Sequence, residues 1–129
     1  MLTANDLVAS ARSRIHEISP AELQTWNARD FVLIDVREPD EYAAGHIPGA
    51  INLPRGVLEF RIESHPALAG AANPAQADRS RSLVLYCLTS GRAALAADSL
   101  QQLGFAKVHS LAGGFTAWRA AGLPVADAA

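Results

Sequence analysis

Two stretches of the chain are apolar almost without interruption: FVLIDV (residues 31–36) and SLVLYC (82–87). A strand that is apolar on both faces suits a parallel sheet covered by helices on both sides. Two shorter stretches, AINLP (50–54) and VHSL (108–111), predict further strands. Between these the apolar residues fall at helical spacing. TANDLVASARSR (3–14) places Leu7, Val8 and Ala11 on one side of a short helix. SPAELQTW (19–26) carries a start signature, with Ser19 as N-cap, Pro20 at the first helical position and Glu22 three residues on from the cap. EPDEYAAG (38–45) predicts a short helix stopped by Gly45, and GVLEFRIESHPAL (56–68) a helical stretch closed near Pro66. GRAALAADSLQQLG (91–104) predicts a helix with Ala96, Leu100 and Leu103 inward and Gly104 at its end. Gly113 and Gly114 permit a turn before a last helix, FTAWRAAG (115–122). Residues 69–82 read as a surface loop and LPVADAA (123–129) as a fraying tail. Strands alternating with helices predict the α/β class: a sandwich around a mainly parallel sheet, in one domain.

Composition narrows this picture. The 129 residues are 50% hydrophobic and 19% charged, enough to bury a core without a metal or disulfide. A net charge of −2 with no basic stripe argues against a nucleic-acid partner. One cysteine cannot close an internal disulfide, so nothing marks an oxidising compartment. The first residues lack a signal-like apolar run, and no segment approaches the ~20 apolar residues of a membrane span. The expectation is a cytoplasmic protein without a membrane partner.

The chemistry points to YCLTSGR (86–92). Cys87 stands at the carboxyl end of a predicted strand, where ligands bind in such sheets. The next helix is expected to begin at about Arg92. Four residues, Leu88, Thr89, Ser90 and Gly91, leave room only for a tight curl with several backbone N–H groups aimed inward. The helix dipole and the Arg92 charge add to these, and all three favour a thiolate at Cys87. The loop therefore reads as an anion nest with a sulfur nucleophile at its floor, against the plainer role of a lone cysteine as a small buried hydrophobe. Asp35, Arg37 and Glu38 follow the first buried strand. They read as an ion-pair and turn-capping set, with Asp35 or Arg37 bordering the pocket as the alternative. Arg55 is a further candidate to present charge to the site. His46 has no second ligand at metal spacing, so no metal site is expected. Trp26 and Trp118 read as packing residues.

Three blocks resemble the single-domain rhodaneses, a sulfurtransferase family: LIDVREPDEYAAGHIPGAINLP (33–54), YCLTSGR (86–92) and LAGGFTAWRAAGLPV (111–125). The resemblance covers residues 16–125 and leaves residues 1–15 as an N-terminal helical extension to a domain of residues 16–129. It implies a three-layer sandwich with a mainly parallel five-stranded sheet and helices on both faces. It also implies sulfur transfer through a persulfide on Cys87, with Leu88, Thr89, Ser90, Gly91 and Arg92 as the active-site loop and no cofactor. The donor would be a small sulfur-containing anion such as thiosulfate, and the acceptor cyanide, a thiol or a protein. Related phosphatases and arsenate reductases use five intervening residues to cradle a tetrahedral anion, so four favour sulfur. A non-catalytic binding or regulatory module is the other alternative, disfavoured by the retained cysteine. Many members carry a basic residue directly after the cysteine and glycine third. Here Leu88 is apolar and glycine comes fourth.

Overall fold

The computed structural model describes residues 1–70, 73 and 75–127. The elements follow in order: α1 (Ala4–Arg12), β1 (His16–Ile18), α2 (Pro20–Gln24), β2 (Phe31–Asp35), α3 (Pro39–Ala44), β3 (Ile51–Asn52), α4 (Leu58–Ile62), β4 (Ser82–Tyr86), α5 (Gly91–Gln102), β5 (Lys107–Leu111) and α6 (Gly114–Ala120). Short 3-10 turns at Ala28–Asp30 and Pro66–Leu68 lie between them. The five strands form one sheet in the order β1-β5-β4-β2-β3, and every neighbouring pair is parallel.

The continuous apolar runs have a direct use. Alternate residues of a strand point to opposite faces. Val32, Ile34, Leu83 and Leu85 pack on one face with Leu58 and Ile62 of α4 and Ala93, Ala96, Ala97 and Leu100 of α5. Leu33, Val84 and Tyr86 pack on the other with Leu23 of α2 and Phe115 and Trp118 of α6. Small residues on α5 let that helix lie close against the sheet. β4 is central and its last four residues are fully buried, so its carboxyl end is held on all sides.

Several expectations hold at the level of single bonds. The Ser19 hydroxyl accepts from the Glu22 amide and caps α2. Three features differ. The sequence pattern gave no strand at 16–18, because only Ile18 of β1 is buried and three residues carry no period. The tail is not frayed over its described part. Ala126 and His46 exchange two 2.8 Å backbone hydrogen bonds, and the Trp118 indole donates to the Pro124 carbonyl. The loop expected at 69–82 is partly tied, since Ala69 bridges to Ala77, and the Gly70 amide donates to the Gln76 carbonyl at 2.9 Å. Residues 71, 72, 74, 128 and 129 of those two stretches lie outside the described residues.

α1 is no loose extension. Ala11 is buried, and the Arg14 guanidinium just beyond the helix donates to both oxygens of Asp98 on α5 at 2.9 and 2.8 Å.

Candidate active site

Cys87 follows the last residue of β4 and is 1% exposed. The three residues after it turn sharply into α5, which starts at Gly91, where the predicted helix begins. The shape of that turn is set from behind by α6. The Phe115 amide donates to the Cys87 carbonyl and the Thr116 amide to the Leu88 carbonyl, both at 2.9 Å. Gly114, at φ 57°, makes this approach possible, because a Cβ there would press on the carbonyl oxygens of Cys87, Leu88 and Thr89. Gly113 and Gly114 thus do more than permit a turn. Two carbonyls of the turn, those of Cys87 and Leu88, are drawn onto α6. The Ala93 N–H, in the first turn of α5, donates to the Cys87 sulfur at 3.4 Å. First-turn amides lack an intrahelical partner and carry the positive end of the helix dipole, and this bond gives one of them a partner in the sulfur.

Arg92 does not bring an unshared charge to the loop. Its guanidinium makes a bidentate pair with Glu41 of α3, at 2.7 and 3.1 Å. The hydrogen bond from Arg92 holds the Glu41 carboxyl at about 2, well below the usual carboxylate range, with the Glu38 amide assisting. Arg92 is pushed up in turn, first by Glu41, with a smaller contribution from the Cys87 sulfur. The expected full charge is thus a shared one. Glu41 went unnoticed in the sequence because EPDEY offers three carboxylates, and nothing local marks which one reaches a residue 51 positions on.

The remaining loop residues separate by exposure. Leu88 is 44% exposed, at the rim, and Thr89 is exposed as well. Ser90 is buried. Its hydroxyl makes no cap bond to α5 and accepts instead from the Arg12 guanidinium of α1.

The other candidates are drawn elsewhere. Asp35 and Arg37 form a buried ion pair, with Nη2 to Oδ2 at 2.8 Å and Nε 3.1 Å from both oxygens. Burial works against the Arg37 charge, but the hydrogen bonds and charge of Asp35 outweigh it. Arg37 also donates to the Gly45 carbonyl and lies 4.4 Å from the centre of the Phe115 ring. The pair therefore braces α6 beneath the loop. Among the described residues no hydrogen bond links either side chain to residues 87–92. Arg55 pairs with Glu59 at 2.8 Å, and Glu59 accepts in turn from Ser99 of α5, so this arginine ties α4 to α5. His46 stacks on Tyr42 with ring centres 3.7 Å apart, and its Nδ1 lies 3.0 Å from the Tyr42 carbonyl oxygen. Among the described residues no group of three His, Cys, Asp or Glu is placed to hold a metal. Trp26 and Trp118 line an open apolar hollow of about 250 Å³ that shares no residue with the cysteine loop.

Residues 19–121 match the model of the rhodanese-like domain. The chain belongs to the rhodanese-like family. A sulfurtransferase of Allochromatium vinosum is 33% identical over 99 residues, which cover 77% of this chain and 81% of that one. The thiosulfate sulfurtransferase GlpE of Ectopseudomonas mendocina is 32% identical over 84% of this chain and 88% of its own length. Two further relatives are longer, and this rhodanese-like chain spans 59% of a protein from Synechocystis and 59% of one from Bacillus subtilis. Among solved structures, a protein of unknown function from Rhodopseudomonas palustris, described as a possible tyrosine phosphatase, superposes with a TM-score of 0.79. It is 32% identical, and the match covers 98% of this chain and 96% of that one. The all-parallel five-stranded sheet agrees with the fold these relatives imply. Among the described residues no helix is long and apolar enough to cross a membrane.

Proposed function

We propose that this rhodanese-like chain is a sulfurtransferase that carries sulfur as a persulfide on Cys87. The observation that carries this reading is the Cys87 sulfur beneath the Ala93 amide, at the floor of a loop with two carbonyls drawn onto α6. In the first half-reaction the Cys87 thiolate attacks the outer sulfur of a donor such as thiosulfate. A new sulfur–sulfur bond forms, the donor's own sulfur–sulfur bond breaks, and sulfite leaves with the electron pair. In the second, a nucleophile such as cyanide or a thiol takes the outer sulfur, and the Cys87 thiolate returns as leaving group. This is covalent catalysis supported by fixed donors at the charged sulfur. Cys87 is the nucleophile, the amides of Leu88 to Arg92 and of Ala93 face the anion, and Arg92 borders it. Asp35 and Arg37 act at one remove by holding α6 against the loop.

Intact mass spectrometry after incubation with thiosulfate tests the reading. One added sulfur per chain is expected, lost on treatment with cyanide and absent in Cys87→Ser. Sulfur transfer that survives in Cys87→Ser would overturn the mechanism, and a wild type that loads no sulfane donor would favour a binding module.

The relative described as a possible tyrosine phosphatase supports a second reading, cysteine-dependent phosphate ester hydrolysis. Four intervening residues and a rim residue as apolar as Leu88 speak against it. Aryl phosphate turnover as fast as sulfur transfer, and dependent on Cys87, would reverse the preference.

A further inference from the structure

α1 lies wholly outside the matched residues 19–121, yet it reaches the loop that holds the cysteine. Val8 and Arg12 are four residues apart and share one helix face. A Cβ built on Gly91 would meet the Val8 side chain at 3.6 Å, and the Arg12 guanidinium donates to the Ser90 hydroxyl. Ser90 occupies the N-cap position of α5, where a serine ordinarily bonds its own helix. Here its hydroxyl leaves that role and is taken by Arg12. Arg12 has little competing business, because its nearest carboxylate, Glu17, is 4.0 Å away and both side chains are well exposed. The bidentate Arg14–Asp98 pair anchors the same end of α1 on α5.

Ser90 is also the joint on which the sulfur's donor turns. Its carbonyl accepts from the Ala94 amide at 2.9 Å and so sets the first turn of α5. The neighbouring amide, that of Ala93, reaches the Cys87 sulfur at 3.4 Å. A shift of Ser90 by a fraction of an ångström would re-aim that amide.

We infer that Arg12 is a positioning residue for sulfur transfer, acting through Ser90 to hold the loop and the start of α5 in the curl that points Ala93 at the sulfur. The inference rests on the function proposed above. It makes α1 a part of the catalytic apparatus that the matched domain alone lacks. Because the aimed amide serves the charged sulfur during reaction, the loss is expected in kcat and not in donor KM.

The test combines kinetics with hydrogen exchange of the full chain. Arg12→Ala and Ser90→Ala should each lower kcat for thiosulfate roughly 3- to 10-fold with little change in KM, a loss in keeping with slight misplacement of a catalytic donor. The double variant should be no slower than the slower single one, because both remove the same bond. Arg12→Lys should retain more activity than Arg12→Ala. Amides of the loop at 87–92 should exchange faster in Arg12→Ala, while those of β4 should not. Unchanged loop exchange would overturn the inference, as would single effects that multiply. If Arg12→Ala does not fold, Ser90→Ala removes the bond from the other side and is judged by loop exchange and the kcat-to-KM split. Should wild type load no sulfur, the sulfurtransferase reading falls, while loop exchange still decides whether Arg12 holds the loop.

Discussion

Replacing Glu41 with glutamine asks whether the carboxylate on α3 restrains the charge of the loop arginine. The pair is bidentate, at 2.7 and 3.1 Å, with side chains 38% and 33% exposed for Arg92 and Glu41. At that exposure water screens most of the attraction, and the pair is worth roughly 0.2–1 kcal/mol. Glutamine keeps an oxygen for Arg92 and can still accept from the Glu38 amide at the start of α3, so the guanidinium should stay in place. What is lost is the negative charge. A dianionic donor then meets an uncompensated cation, and a gain of the same size lowers KM for thiosulfate about 1.4- to 5-fold at low salt, with kcat little changed. High salt should erase the gain. Stability offers a second readout. The Glu41 pKa is lowered in the folded protein, from 4.5 to about 2. Its contribution is therefore present above pH 4.5 and is lost as pH falls toward 2. Urea unfolding should show wild type ahead of Glu41→Gln at pH 6, with the gap closing between pH 4.5 and 2. Steady-state kinetics at two ionic strengths decide the first point. An unchanged or raised KM at low salt, in a variant that is still folded at pH 6, would refute the idea that Glu41 holds back the charge of Arg92.

Other outcomes follow from the same geometry. Leu88→Arg should raise kcat/KM for thiosulfate several-fold, mainly through KM, and added salt should erode the gain, because the rim position is exposed. An unaltered KM at low ionic strength would mean that residue 88 does not meet the donor. Gly114→Ala should cost about 2–5 kcal/mol in urea unfolding, since a Cβ at positive φ would press on three loop carbonyls. A loss below about 1 kcal/mol would show that the loop does not depend on this close approach. Aryl phosphate hydrolysis by wild type should stay negligible next to thiosulfate turnover in matched assays.

The sheet and the cysteine loop were legible because their signals are local. Val32 to Ile34 and Leu83 to Tyr86 are apolar on both faces, as strands of a covered parallel sheet are. Cys87, Gly91 and Arg92 are close in sequence, so their convergence needed only a short turn. β1 escaped notice because two of its three residues are exposed and it is recognised only by its pairing with β5. The partners that adjust the site escaped for another reason. Glu41 meets Arg92 across 51 positions and Arg12 meets Ser90 across 78, and in both cases a solvated-looking charge is placed by tertiary packing. The tail pattern LPVADAA is short and small, and its pairing with His46 likewise depends on a distant segment.

The grip of α6 on the loop also has a consequence in time. A ribosome makes Cys87 long before it makes the amides of Phe115 and Thr116 that draw two loop carbonyls onto α6. All five strands precede α6 in the chain, so a nascent chain can assemble its sheet while the thiol still sits in an unshaped segment. Under the function proposed above, the loop of Cys87 takes its working shape only when α6 emerges and docks. A chain halted, or clipped, just after β5 would carry the cysteine without the α6 amides that shape its loop.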